Sequence, residues 1–367
     1  MKLNQLEDTI VDNLECGIAT ELRSSPGRGK SQFIAQLVDK LSKRDNEQWG
    51  FATCFLATMT PSDLMGYMVP TKMEDGKLAS VFTTPPWMIT APTAAHPKGR
   101  DIREFKRGIV FLDEYGQGDG DTKKAAAELL LNGKIGPHQL PPGIGVIAAS
   151  NGAKDRSGVT KDFDFVINRR MQIDITDDIV GWLEWANGAG MLPLTMAFAE
   201  QNPAVVFSEG VPEKQGPWCT PRTLEMVDKL MRVKHARTGS YPDDPATVEA
   251  IQGLMGAGAA AQYFAFVKLE REMPKFEEIV ADPEKCKLPG KVDAQMLICH
   301  NLAHRVTPET ADAVVKYVDR LQKEFAVTFF KNAVGRNMGL LKTAGVSKWV
   351  QANAALVAAI TMPGSKR

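Results

Sequence analysis

The chain is organised around one stretch, Ser24-Ser25-Pro26-Gly27-Arg28-Gly29-Lys30-Ser31. It matches the G-x-x-x-x-G-K-[ST] pattern of a phosphate-binding loop except at its first position, where Ser24 stands in place of glycine. Gly27 and Gly29 allow tight bends in which successive backbone N–H groups point into one concavity. Apolar residues at helical spacing follow, so the positive end of a helix dipole would face the same concavity. A chance glycine loop before a helix is the alternative interpretation.

Each residue of this stretch has a predicted role in binding a nucleotide and Mg²⁺. The side chain of Lys30 would neutralise the β- and γ-phosphates, and the Ser31 hydroxyl would bind Mg²⁺. The remaining residues would form the cradle around the phosphate oxygens: Ser25, Pro26, Gly27, Arg28 and Gly29.

A second segment, residues 108 to 114, ends in two carboxylates. The apolar run from Ile109 to Leu112 is typical of a parallel strand buried on both faces. Asp113 and Glu114 would then lie at the carboxyl end of that strand, where ligands bind in open α/β sheets. We expect Asp113 to hold Mg²⁺ through water and Glu114 to polarise an attacking water.

Two further strands end or begin beside polar residues. The apolar run 144–150 is followed by Asn151, which would orient the attacking water or contact the γ-phosphate, or else be an ordinary turn residue. Arg169 and Arg170 directly precede an alternating strand at 171–175. These arginines are either solvated surface charges or cations presented to a neighbouring subunit's nucleotide.

Residues 59 to 105 interrupt the alternation of strands and helices. Thr60 followed by Pro61 indicates the start of a short helix. The sequence Glu74-Asp75-Gly76-Lys77 between two apolar runs favours a hairpin. We expect residues 91–105 to be polar and exposed, and residues 152–162 to form a polar loop.

The strand-helix alternation stops near residue 177, and segments of helical periodicity follow, including residues 245–271 and 308–325. One helix has a clear start, with Thr220 as N-cap and Pro221 in the first turn. Arg222 would lie in that first turn, where a cation opposes the helix dipole and therefore needs an anionic partner. A nucleotide phosphate is one candidate for that partner, and an ordinary surface arginine is the alternative.

The composition of the 367 residues is typical of a globular protein, with 44% hydrophobic and 24% charged residues. The 44 basic and 44 acidic residues cancel, so net charge indicates neither nucleic acid nor an anionic membrane as a partner. No apolar run is long enough to span a membrane, and the N-terminus lacks the pattern of a signal peptide. The five scattered cysteines are typical of reduced thiols, so we expect a cytoplasmic protein.

The order of these parts resembles the MoxR-like branch of the AAA+ ATPases, and also the dynein-related AAA group, over roughly residues 5 to 237. S-P-G-R-G-K-S is similar to Walker A, I-V-F-L-D-E to Walker B and A-A-S-N-G to the sensor 1 strand end. T-P-S-D-L-M-G-Y with the hairpin after it resembles the helix-2 insertion of that branch. N-R-R-M-Q-I resembles the arginine-finger segment, and C-T-P-R-T resembles the start of the lid helix that carries sensor 2.

The resemblance implies an α/β fold, a P-loop NTPase (AAA+) with a parallel-sheet core. The core would span residues 1–176 with the insertion at about 66–86, followed by an all-helical lid at 177–240 and a helical C-terminal extension of unknown role at 241–367. Arg170 would be the arginine finger, with Arg169 as second choice, and Arg222 would be sensor 2.

The implied function is Mg²⁺-dependent ATP hydrolysis at the subunit interfaces of a homo-oligomeric, usually hexameric, ring. Such a ring would remodel or activate a protein client, with a von Willebrand A-type protein as a further partner. A nucleic-acid motor or loader on the same core is the main alternative, which zero net charge and few aromatic residues among the basic stretches disfavour. A structural protein that binds nucleotide without hydrolysis is disfavoured by Asp113 and Glu114, and a small-molecule kinase by the lack of an evident acceptor site.

Overall fold

The computed structural model describes residues 1–93, 96–152, 162–208, 210–213 and 215–354. Within these residues the chain forms two compact units, the first containing Met1–Asp178 and the second containing Ile179–Ser208 and the helices after it. The assignment of residues 177–240 as a lid and of residues 241–367 as a separate extension stays a prediction. Most of the predicted loop 152–162, and the end of the chain beyond 354, lie outside the described residues.

The first unit alternates strands and helices through the predicted parallel-sheet core, with some short elements that the sequence did not predict. Its elements are α1 (Leu6–Cys16), β1 (Thr20–Arg23), α2 (Lys30–Asp45), β2 (Gly50–Phe55), α3 (Pro61–Met65), β3 (Met68–Lys72), β4 (Leu78–Phe82), β5 (Gly108–Asp113), α4 (Gly120–Asn132), β6 (Lys134–Ile135), β7 (His138–Gln139), β8 (Ile144–Ser150), α5 (Asp164–Ile167) and β9 (Met171–Asp174).

Five of these strands form one parallel sheet in the order β2-β5-β8-β1-β9. The apolar residues of β5 are fully buried and alternate between two hydrophobic clusters. Ile109 and Phe111 pack with residues of α1 and α2, whereas Val110 and Leu112 pack with residues of α4. This alternation follows from the two-residue period of a strand, and it confirms that β5 is buried on both faces.

The insertion has the predicted form. Thr60 caps α3 through a reciprocal pair of contacts with Asp63, and β3 and β4 pair as an antiparallel hairpin. The prediction that residues 91–105 are exposed is wrong in its last part, because Ile102 and Phe105 are buried. Both side chains cover Gly50, where an added Cβ would lie 2.5 Å from Ile102 Cδ1, so the missing side chain in β2 makes room for them. The sequence did not predict the short antiparallel hairpin β6–β7.

The second unit is helical among its described residues. Its helices are α6 (Ile179–Gly188), α7 (Pro193–Gln201), α8 (Pro203–Val206), α9 (Pro221–Thr238), α10 (Pro245–Met255), α11 (Ala257–Glu272), α12 (Phe276–Ala281), α13 (Val292–Arg305), α14 (Ala311–Val318), α15 (Lys323–Arg336) and α16 (Ala344–Ala352).

Two helices that the sequence predicts as continuous are divided in the structure. The first breaks at Gly256, whose φ of 81° is one that glycine adopts without strain. An added Cβ there would lie 2.7 Å from the Pro217 carbonyl oxygen, so glycine also permits a close approach. The second breaks between α14 and α15. The predicted α/β core with a hairpin insertion, followed by a helical region, is confirmed. Among the described residues, no helix combines the length and the apolar character that crossing a membrane requires.

Candidate nucleotide-binding site

The loop between β1 and α2 has the backbone form of a phosphate cradle. Gly27 and Gly29 have φ values of 75° and 84°, in the left-handed region that favours glycine. Gly29 is the N-cap of α2, so the first N–H groups of a 16-residue helix are directed toward the loop. Backbone donors and a helix N-terminus therefore converge, which is the arrangement that binds anions in other helix-start loops.

Lys30 connects this loop to the end of β8. Its ammonium group donates to the Ser24 carbonyl oxygen at 3.1 Å, to Ser24 Oγ at 3.0 Å and to Asn151 Oδ1 at 3.1 Å. Ser24 is not among the described non-glycine residues with positive φ, so the backbone at this position does not require glycine. The sequence pattern marked Ser24 only as a departure, and it missed the hydroxyl as a partner of Lys30.

The two carboxylates after β5 contact the other predicted site residues. The Ser31 hydroxyl donates to Asp113 Oδ2 at 2.6 Å, and the Asn151 amide donates to Glu114 Oε2 at 2.8 Å. The structure therefore brings Lys30, Ser31, Asp113, Glu114 and Asn151 into one hydrogen-bonded group. Their proximity follows from the adjacency of β1, β5 and β8, whose carboxyl ends meet at one edge of the sheet.

Glu114 has a strained backbone. Its φ of 50° and ψ of 37° place it in the left-handed region, which costs a residue with a Cβ about 1–2 kcal/mol. Strain of this kind persists where the surrounding structure fixes it, and it occurs most often at functional sites. The turn at Glu114 allows the chain to leave β5 while the carboxylate stays beside Asn151.

Arg28 anchors the middle of the loop. Its side chain is 4% exposed and pairs with Asp177 at 2.7 Å, at the end of the first unit. The guanidinium of Arg28 therefore has a carboxylate partner within its own unit, and its backbone contributes to the cradle between the two glycines.

The three other arginines with predicted roles lie in different settings. Arg170 has a side chain that is 2% exposed, and it pairs with Glu21 at 2.8 Å and with Asp162. Arg169, by contrast, is exposed. The choice between Arg170 and Arg169 as an arginine finger stays a prediction. Arg222 is exposed in the first turn of α9, in the second unit, and the predicted Thr220 cap is confirmed, since its hydroxyl accepts from the Thr223 N–H at 3.2 Å.

Sequence reasoning missed the polar residues that surround Arg170. Glu21 is 3% exposed and accepts a hydrogen bond from the Ser150 hydroxyl at 2.5 Å. Burial raises the pKa of the nearby Tyr115 phenol and lowers the pKa of the Lys123 ammonium. The one signal in the sequence was a carboxylate inside the short strand β1, which is costly to bury without a partner.

The oxygen donors of the site suit Mg²⁺. Within the described ranges, no group of three or more His, Cys, Asp or Glu side chains could hold a metal ion by itself. Ser31 and Asp113 offer two hard oxygen ligands at hydrogen-bond distance from each other. Magnesium in phosphate-binding enzymes commonly takes one or two such protein ligands and completes its octahedron with phosphate oxygens and water, so the donor set fits this ion.

Comparisons with known proteins return structural likenesses of low identity. A candidate ATPase from Cytophaga hutchinsonii is 13% identical over 74% of this chain and 89% of its own, with a TM-score of 0.35. NtrX from Brucella abortus is 15% identical over 95% of this chain and 67% of its own, with a TM-score of 0.37. A RuvB variant from Thermotoga maritima is 11% identical over 77% of this chain and 76% of its own, with a TM-score of 0.38.

No protein-family model matches the sequence, and no curated protein matches it significantly. At these identities and TM-scores the structural likenesses transfer neither a substrate nor an activity to this chain.

Proposed function

We propose that this chain is a Mg²⁺-dependent ATPase of the AAA+ class. One observation supports this proposal above all: Lys30 and Glu114 both hydrogen bond to Asn151, while Ser31 bonds to Asp113, beside a loop with two left-handed glycines. A chance glycine loop would not bring a lysine, two carboxylates and an amide together at the edge of a parallel sheet.

In this proposal each residue of the site has its own role in ATP hydrolysis. The loop N–H groups and Lys30 bind the β- and γ-phosphates, and Ser31 and Asp113 hold Mg²⁺. When bound, Mg²⁺ neutralises negative charge on the phosphate oxygens. Glu114 takes a proton from water as the water oxygen bonds to the γ-phosphorus, the bond from that phosphorus to the ADP oxygen breaks, and ADP and phosphate leave. Asn151 orients the water and Glu114 relative to each other.

Steady-state ATP hydrolysis by the purified chain, with and without Mg²⁺, tests this proposal. We expect Lys30→Ala to reduce turnover at least about 100-fold, because a preorganised charge facing the phosphates is lost. The matched control is Lys43→Ala, since Lys43 is an exposed lysine of the same helix and lies outside the site. Equal turnover in the wild type, Lys30→Ala and Lys43→Ala, or no turnover with Mg²⁺ in the wild type, would refute the proposal.

The proposed ATPase assembles into a homo-oligomeric ring, a hexamer by the family resemblance, and couples hydrolysis to the remodelling of a protein client. The exposed position of Arg169 supports assembly, because an arginine of one subunit could then reach the nucleotide of the next. Light scattering on Glu114→Gln, with and without ATP, tests this part: a shift to roughly six chain masses supports the ring. A monomer under both conditions would rule it out. ATPase stimulation by DNA or RNA that weakens with salt would instead favour the nucleic-acid motor.

A further inference from the structure

A second group of polar side chains includes one residue of the sheet, Glu21 of β1, and we term this group the buried ionic cluster. It consists of Glu21, Tyr115, Lys123, Asp162 and Arg170. The side chains of Glu21 and Arg170 are 4% and 2% exposed, that of Asp162 is 12% exposed, and Lys123 is 1% exposed as a residue. Two carboxylates and two cations are thus held almost out of water, with their charges in balance.

Arg170 is the centre of this cluster. One side of its guanidinium fork pairs with Glu21 Oε2 at 2.8 Å, and the other pairs with Asp162 Oδ2. The Tyr115 hydroxyl donates to Asp162 Oδ1 at 3.3 Å, and the Tyr115 ring lies 5.3 Å from the guanidinium carbon of Arg170. The Lys123 ammonium lies 5.6 Å from the centre of the same ring.

The cluster includes or contacts one sequence neighbour of Glu114 and one sequence neighbour of Asn151. Tyr115 directly follows Glu114, and Ser150, which donates to Glu21 at 2.5 Å, directly precedes Asn151. The two residues whose side chains hydrogen bond to each other in the site, Glu114 and Asn151, therefore each have a neighbour held by the cluster.

Stability alone does not explain this arrangement. Moving charges out of water costs several kcal/mol per ion, and a well-packed apolar set of similar volume is often at least as stable. What a guanidinium paired with two carboxylates does provide is a fixed separation between them, because both are attracted to one planar, buried cation.

We propose that Arg170 is a positioning residue for hydrolysis within its own subunit. By holding Glu21 and Asp162 together, it fixes Ser150 and Tyr115, and through them it orients Asn151 and Glu114 toward the bound nucleotide. This inference rests on the proposed ATPase function. It differs from an arginine finger in that the affected active site belongs to the same chain.

The first test uses the double variant Glu21→Gln/Arg170→Met, which removes one negative and one positive charge and keeps the side chains similar in size. The remaining Asp162 and Lys123 keep the net charge of the cluster at zero, so the variant disturbs the charge balance less than loss of Arg170 alone would. We expect its affinity for a fluorescent ATP analogue to stay within about threefold of wild type while kcat falls about 100-fold, because a misplacement of about 1 Å costs that much.

A purely structural role would lower thermal stability and leave kcat per bound nucleotide unchanged. Wild-type kcat per bound nucleotide in the double variant would therefore overturn the inference and leave the proposed ATPase intact. A wild type that binds nucleotide without turnover would overturn both.

The second test separates positioning in one subunit from a finger that acts between subunits. Arg170→Lys keeps the charge but not the fork, and Lys30→Ala subunits carry a native Arg170 beside a disabled loop. If Arg170 acts in its own chain, mixing the two variants restores no activity beyond the sum of the separate proteins. Arg169→Ala mixed with Lys30→Ala is the matched control, and we expect activity to recover there. Recovery in the Arg170→Lys mixture would overturn the inference.

Discussion

The candidate site and the buried ionic cluster both belong to the first unit of the chain and balance their charges differently. In the site, Asp113 and Glu114 are partly exposed and accept hydrogen bonds from neutral donors, Ser31 and Asn151. In the cluster, Glu21 and Asp162 face a guanidinium and are nearly inaccessible to water. Carboxylates of the first kind can exchange partners for a ligand at small cost, whereas those of the second kind cannot lose their partner without a large penalty.

This difference explains why carboxylates of the same fold would have different roles, ligand binding in the site and fixed ion pairs in the cluster. Polar residues at the exposed ends of the strands are available to a nucleotide. The buried residues of the cluster are paired with one another, and Arg170 belongs to this second group although its sequence context suggested the first.

The largest expected effect is on stability, in Arg170→Ala. Removing the guanidinium leaves two buried carboxylates without their main partner, so we expect the free energy of unfolding to fall by about 3–5 kcal/mol. Asp113→Ala is the counterpart in the site, and it removes two hydrogen bonds of a partly exposed carboxylate, from the Ser31 hydroxyl and the Glu114 N–H, each worth about 1 kcal/mol. Urea unfolding followed by circular dichroism measures both. An equal loss of unfolding free energy in the two variants would contradict the difference between the cluster and the site.

A smaller effect is expected from the strained backbone at Glu114. Glu114→Gly and Glu114→Ala both remove the carboxylate, so they differ only in how they tolerate a φ of 50°. We expect the glycine variant to be more stable by about 1 kcal/mol, because glycine adopts the left-handed region without a Cβ clash. The same unfolding assay applies. An alanine variant as stable as the glycine variant would show that the turn at Glu114 stores no strain.

The smallest effect is expected at Ser24. Ser24→Gly removes one of the oxygen acceptors of Lys30 and leaves the carbonyl oxygen and Asn151 in place. We expect the free energy of unfolding to change by less than about 1 kcal/mol, with binding of an ATP analogue changed less than about fivefold. Loss of nucleotide binding in this variant would show that the Ser24 hydroxyl is a required part of the cradle.

Much of the site could be predicted from sequence because each part has a local signature. The glycines and Lys30 lie within four residues of one another. Asp113 ends a strand with a clear apolar run, and Glu114 and Asn151 each directly follow such a strand. Parallel strands then bring their carboxyl ends to one edge without further information. The insertion hairpin and the helix caps at Thr60 and Thr220 were predictable for the same reason.

The setting of Arg170 was not predictable, because it depends on contacts that no local pattern shows. Glu21 is 149 positions away and Asp162 is eight positions away, and nothing in the sequence relates either of them to Arg170. The burial of Ile102 and Phe105 likewise depends on Gly50 in another strand. In the second unit, the helix break at Gly256 reflects the close approach of Pro217, a contact that helical periodicity does not reveal.

The most direct test of the account is single-turnover hydrolysis of ATP by Glu114→Gln. The matched control is Glu15→Gln, which makes the same change at an exposed residue of α1. We expect Glu114→Gln to bind ATP as tightly as the control while the rate of γ-phosphate release falls at least about 100-fold, because only the group that accepts the proton from water is lost. Equal rates in the two variants would contradict the assignment of Glu114, and with it the proposed catalytic site.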